Sequence, residues 1–386
     1  MAAALYFRGV TVVSPPYQWD KMDVLVADGR IQWRAPAGHR AVPRDAREIP
    51  GDDLILTPGW VELQINGAFG HDFTLTPEAI WDVAAQLPQL GLTAFLPTII
   101  TAPRETIARA QQVLLAGPPS GWHGARPLGL HIEGPFLNPE RKGAHPPTLL
   151  RAPDPAWIRD WTRARGVRLV TLAPELPHAL DLVRALRNQG VVVSMGHTMA
   201  PWEQAIAGFE AGITYGTHLF NAMRGFHHRE PGAVGALLAR PDIPVGLIVD
   251  GIHVHPGAVR LAWQAKGPGA LTLVTDACAG LGMPPGTYRL GEMTIVVREH
   301  DARLPDGTLA GSIVRPDAAL RNLMHFAGAS LVDAVSAWTV APARVLGLPH
   351  PHVAPGAPAD LTLLRASDLS VIGTVIAGHL YLVDKG

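Results

Sequence analysis

Eight short apolar runs recur along this chain, at residues 56–65, 93–100, 127–133, 167–173, 191–197, 213–219, 245–249 and 271–275. Stretches with helical spacing lie between them, for example 77–90, 103–115, 177–189 and 201–211. Runs that are apolar along their whole length suit strands buried on both faces, and strands alternating with helices suit a parallel sheet. Several helical stretches open on a proline, which fits a first turn because its missing N–H would be unpaired there anyway. Eight such units favour an α/β fold closed as a (β/α)8 TIM-type barrel.

The flanks read differently. Residues 4–55 and 359–384 contain short strands and turns but too little apolar sequence for a domain each. The two ends are therefore expected to join as one small β-sandwich domain beside the barrel. This divides the chain into 1–55, a barrel over 56–348 and a returning segment over 349–386. Residues 286–314 read as a strand-rich insertion after the eighth strand, with Asp306-Gly307 as a turn signal, placed to cover the barrel mouth.

Composition removes several classes of partner. Formal net charge is −1 and the basic residues do not cluster, so neither nucleic acid nor an anionic membrane is expected to bind. No run approaches the ~20 apolar residues of a membrane span. The first residues carry neither a basic leader nor a long apolar segment. Cys278 is the single cysteine, which rules out an intrachain disulfide and fits a reducing compartment. The expectation is a soluble cytoplasmic protein.

In a barrel of this kind the active site sits at the C-terminal ends of the strands. The polar residues there are Gln64 and Asn66 after the first run, Glu133 after the third, His197 after the fifth and His218 after the sixth. Asp250 and His253 follow the seventh run, and Asp276 the eighth. Alternation in Leu130-His131-Ile132-Glu133 turns His131 and Glu133 to the same face. A glutamate buried at a strand end is costly without a positive partner. Taken singly, each residue has a plainer reading: a hydrogen-bonded histidine, a glutamate paired with arginine, an aspartate capping a turn. Four of them at barrel strand ends together point to a metal site. Glu133, His197 and His218 form a ligand set suited to one divalent ion, zinc first, with Fe²⁺, Co²⁺ or Mn²⁺ also compatible. Water beside such an ion ionises near pH ~7. Asp276 is placed to take its proton and pass it to a leaving amine.

Ordered along the chain are Pro58-Gly59-Trp60-Val61-Glu62, Gln64-Ile65-Asn66-Gly67, Leu130-His131-Ile132-Glu133-Gly134-Pro135-Phe136-Leu137-Asn138 and Lys142-Gly143-Ala144-His145. Next come Gly196-His197-Thr198, Thr217-His218-Leu219-Phe220-Asn221-Ala222-Met223 and Arg229-Glu230-Pro231-Gly232. Asp250-Gly251-Ile252-His253, Val274-Thr275-Asp276-Ala277 and Leu309-Ala310-Gly311-Ser312 complete the series. The set resembles the amidohydrolase superfamily and, within it, the N-acetylglucosamine-6-phosphate deacetylase family, over about residues 56–345. The resemblance implies Glu133, His197 and His218 as metal ligands and Asp276 as the catalytic acid/base, with His253 helping at the reacting carbonyl. It implies sugar contacts from His145 and His253, and a phosphate held by Asn221, the Ala222 backbone and Arg229. It further implies a homodimer in which Arg229 reaches the neighbouring subunit's site. Leu309 and Gly311-Ser312 would close over the acetyl group.

One departure stands out. Many superfamily members place His-x-His at the end of the first strand to hold a second metal, whereas this chain has Gln64 and Asn66. Residues 167–174 offer only Arg168 as a basic residue, so no bridging lysine is evident on the fourth strand. A single tightly held metal is expected, with the two amides hydrogen-bonding ordered water. Cys278 is expected in the core and Asp250 to orient His253 or a loop. His227 and His228 are expected on solvated surface, and outside the motif Arg229 would read as a salt bridge to Glu230. The implied reaction is metal-dependent hydrolysis of the acetamide of N-acetylglucosamine 6-phosphate. Alternatives are deacetylation of another amino sugar, such as N-acetylgalactosamine 6-phosphate, opening of a cyclic amide, or an inactive barrel that binds a sugar phosphate.

Overall fold

The computed structural model describes residues 4–383; the outermost parts of the two predicted end segments, 1–3 and 384–386, lie outside it. Each apolar run contributes one barrel strand. In order these are Trp60–Ile65, Leu92–Ile99, Leu130–Glu133, Val167–Leu172, Val192–Met195, Ile213–Gly216, Val245–Leu247 and Leu271–Leu273. Neighbours pair in parallel from first to eighth. The barrel closes through an Ile65–Ala277 bridge, with Asp276 N donating to the Gln64 carbonyl at 2.9 Å. Apolar residues on both faces explain the uninterrupted runs. Phe95, Ile132, Val170 and Leu247 pack outward with the helices, while Leu63, Leu96, Leu169 and Val274 fill the interior.

The predicted first run divides at Gly59. Leu54–Pro58 joins the terminal sheet and Trp60–Ile65 the barrel. A Cβ on Gly59 would lie 2.1 Å from the Thr93 hydroxyl, so glycine lets the two layers approach. The chain ends do meet. Leu54–Pro58 pairs in parallel with Leu5–Ser14 and antiparallel with Leu361–Arg365, joining both ends in one eight-stranded sheet. One face carries Phe7, Val10, Val12, Val24 and Leu363 in a cluster of its own. Val13, Ile55, Leu364 and Ile376 from the other face join the barrel's core.

Helices follow most strands, and Pro103 and Pro201 sit immediately before helical residues, as the spacing predicts. Among the described residues, only 3-10 turns connect the third strand to the fourth. That irregular segment carries His145 to the mouth. The insertion is a three-stranded antiparallel sheet of Gly286–Leu290, Met293–Val297 and Ala302–Arg303. Cys278 packs in its core beside Ile295 and Val297, where burial pushes the thiol up to about 12. No described helix is long and apolar enough to cross a membrane.

Lys266, at the end of helix Pro256–Lys266, is 6% exposed and donates to the carbonyls of Leu237, Arg240 and Ile243. These belong to the end of helix Gly232–Leu238 and the turn after it, where carbonyls lack helical partners. Replacing Lys266 with Met removes this donor from all three carbonyls, and that of Ile243 keeps no other donor among the described residues, so the variant should lose about 1–3 kcal/mol of stability in chemical denaturation. An unchanged midpoint would contradict this role.

Candidate active site

Glu133 ends the third strand with its side chain turned inward, and His197 and His218 follow the fifth and sixth strands directly. Their ligand atoms converge. Glu133 Oε1 lies 3.2 Å from His197 Nε2 and 3.0 Å from His218 Nε2, and the two nitrogens are 3.1 Å apart. All three side chains are buried. The backbone is strained where these groups are presented: φ is +50° at His197, +24° at His218 and +49° at Asp276. Such conformations cost about 1 kcal/mol or more each and persist where the surroundings over-determine them.

The donor set fits a divalent ion. His197 Nδ1 lies 2.7 Å from the Arg141 carbonyl, which can only accept, so a neutral ring turns the lone pair of Nε2 toward His218 and Glu133. His218 Nδ1 is buried with no hydrogen-bond partner among the described residues. Two ligands about 2.1 Å from a shared tetrahedral zinc are about 3.4 Å apart, so the spacing found would open by a few tenths of an ångström around the ion. Burial works against a charge on Glu133, but hydrogen bonds and charge from His197 and His218 outweigh it and hold the carboxyl well below its ordinary range. Burial also works against protonated His218, and Glu133 reverses this to raise its pKa.

The first-strand amides face these groups directly. Gln64 Nε2 donates to Glu133 Oε1 at 3.0 Å, and Asn66 Nδ2 donates to Asp276 Oδ1 at 2.7 Å. Strand pairing slips between Glu62 and Ile65, a bulge that turns Gln64 toward Glu133 while Leu63 stays in the interior cluster. Asp276 is half-buried in the wall of the site, and burial with the nearby charge of Glu133 raises its carboxyl to about 6.

A cavity of about 280 Å³ opens over this cluster, lined also by His145, His253, Asn221, Ala222 and Leu309. His145 Nδ1 accepts from the Thr101 backbone N–H, which leaves Nε2–H facing Glu133 Oε2 at 3.7 Å. Burial and His197 lower its pKa to about 3, so it stays neutral. Asp250 Oδ2 lies 2.6 Å from His253 Nδ1, and Oδ1 accepts the Ile252 and His253 amides at 2.8 Å, fixing that imidazole. Gly311, at φ +65°, brings the strap with Leu309 against Asp276; a Cβ there would sit 2.8 Å from the Asp276 carbonyl. Arg229 lies apart from this cavity on an exposed loop, its guanidinium 2.9 Å from His228 Nε2. Glu230 pairs with Arg224 rather than with Arg229.

Several supporting groups escaped the sequence reading. Thr101 holds His145, and its place at the end of the second run was a usable signal. Glu175 accepts from Asn138, Thr198 and Met199, tying the loops beside His197 together. It follows the fourth run and could have been found in the same way. The Arg141 carbonyl has no sequence signature at all.

The fold and the enclosed Glu-His-His cluster define a metal-dependent hydrolase of the barrel type. Residues 55–381 match the amidohydrolase family. The chain belongs to that family and, within it, to the N-acetylglucosamine-6-phosphate deacetylase family. It is 34% identical to the Bacillus subtilis N-acetylglucosamine-6-phosphate deacetylase, over 100% of this chain and 99% of that one. The Mycobacterium smegmatis deacetylase, solved as an aspartate-to-alanine variant with N-acetyl-D-glucosamine 6-phosphate, superposes with a TM-score of 0.89 at 34% identity. That match covers 98% of this chain and 99% of the other. The Pasteurella multocida enzyme gives 0.90 at 29% identity, covering 98% and 100%.

Glu133→Gln should weaken divalent-ion binding at least about 100-fold, since an amide is a poor ligand and second-sphere changes alone cost 10- to 100-fold. Equilibrium dialysis against zinc checks this, and unchanged affinity would contradict the cluster as a metal site.

Proposed function

We propose that the chain hydrolyses N-acetylglucosamine 6-phosphate to glucosamine 6-phosphate and acetate, using one divalent ion, zinc in the first instance. The observation that carries this reading is the Glu133–His197–His218 cluster with Asp276 held beside it by Asn66. An ion bound by those three residues would polarise the acetyl carbonyl and make water a stronger nucleophile. Asp276 takes a proton from the attacking water as oxygen joins the acetyl carbon. It then delivers that proton to the sugar nitrogen as the C–N bond breaks. With protons on both ring nitrogens, His253, fixed by Asp250, would donate from Nε2 to the carbonyl oxygen, and the Nε2–H of His145 donates to the sugar.

For the phosphate we assign Asn221 and the Ala222 N–H, from two residues that line the cavity. Arg229, outside its own cavity, supports a homodimer in which each subunit lends its guanidinium to the other's phosphate. Gln64 and Asn66 bond the acidic groups instead of providing imidazoles, which supports a single ion. We place the reaction in the cytoplasm, where the lone thiol stays reduced.

Acetate release should be strong from N-acetylglucosamine 6-phosphate and weak from the unphosphorylated sugar; equal rates would refute the phosphate site. Asp276→Asn should lower kcat by at least about 1000-fold with metal retained, at the upper part of the range for a general acid/base. Near-normal turnover would refute its role. Arg229→Ala should raise KM about 10- to 100-fold for the phosphorylated substrate alone, the worth of a lost charge-assisted contact.

A further inference from the structure

Glu62 is a buried ionisable side chain that the proposed chemistry leaves unused. It is 0% exposed. Its carboxylate accepts two backbone donors, Gln64 N at Oε1 and Thr275 N at Oε2, each at 2.8 Å. Burial pushes the carboxyl up to about 8, and the nearby charge of Asp276 adds to that rise. Enclosed in this way the group is mostly protonated near neutral pH, and each oxygen still accepts its backbone N–H. Helping to close the barrel would not by itself call for an ionisable group there.

Its position suggests a further role. The eighth strand ends at Leu273, and the first and eighth strands meet through the Ile65–Ala277 bridge. Without Glu62, the Gln64 and Thr275 amides would be buried donors with no acceptor. The two residues it ties are those from which the reacting groups are presented. Gln64 donates its side chain to Glu133 Oε1, and its carbonyl accepts the Asp276 amide. Thr275 immediately precedes Asp276 and receives Ser312 Oγ on its carbonyl, which anchors the strap carrying Leu309.

We propose that Glu62 is a positioning residue for the reaction, bridging the Gln64 and Thr275 amides so that Asp276 and Gln64 are set against Glu133. Its catalytic consequence rests on the hydrolase reading above, while the bridge itself does not.

Glu62→Gln in the metal-loaded protein tests this. The variant keeps the side-chain length but turns an NH₂ toward one of the two N–H donors, so one half of the bridge is lost. Turnover should fall about 10- to 100-fold, the scale of a small misplacement of reacting groups. KM should stay within about threefold and metal content should be unchanged, the pattern of a lost transition-state contribution. Unaltered kcat overturns the proposal, as does a kcat loss matched by metal loss, which marks a general support of the fold. Hydrogen exchange on the unmodified protein tests the bridge even if the variant does not fold. The Gln64 and Thr275 amides should exchange as slowly as those inside the barrel strands, and fast exchange at either overturns the proposal. A wild type that bonds these amides but releases no acetate would count against the reaction, not the bridge.

Discussion

Glu133 lies within 3.2 Å of two imidazole nitrogens at the top of an apolar barrel, and much of the mouth is arranged around the positive charge this cluster requires. A carboxylate oxygen and a lone-pair nitrogen at such separation repel unless a proton or a metal ion lies between them. Arg141 fixes the ring of His197 so that the lone pair, not the N–H, faces inward. The set is therefore suited to a divalent cation in a way that a hydrogen-bonded core is not. Gln64 takes up the remaining demand by donating to the same carboxylate oxygen.

The surrounding structure holds these groups rather than adding chemistry. Positive φ at His197, His218, Ala222 and Asp276 turns side chains and backbone toward one cavity from the ends of the fifth, sixth and eighth strands. This local strain is offset by hydrogen bonds that leave little freedom: Asn66 to Asp276, Asp250 to His253, Thr101 to His145 and Glu175 to the loop after His197. The insertion then closes the cavity with Leu309 above the aspartate.

Much of this was legible in the residues. Whole-length apolar runs carry the barrel because its strands are buried on both faces, and Glu133, His197, His218 and Asp276 stand out as polar residues at the ends of such runs. The joining of the chain ends followed from their small apolar content. Other features had no local signal. The break at Gly59 reflects the close approach of Thr93, 34 residues later, and the bulge that turns Gln64 inward is a matter of register with the second strand. Glu62 was visible in its motif, yet its partner Thr275 comes from the last strand, brought beside the first only where the barrel closes, and is found only in three dimensions.

We propose that one ion, not two, serves this site, because the first strand offers amides where a two-metal centre would need imidazoles. Metal content measured by mass spectrometry on fully active protein, after weakly bound ions are removed, addresses that directly. One equivalent per chain is expected, with activity proportional to occupancy up to one. Two tightly held equivalents, or activity that appears only as a second ion binds, would contradict it.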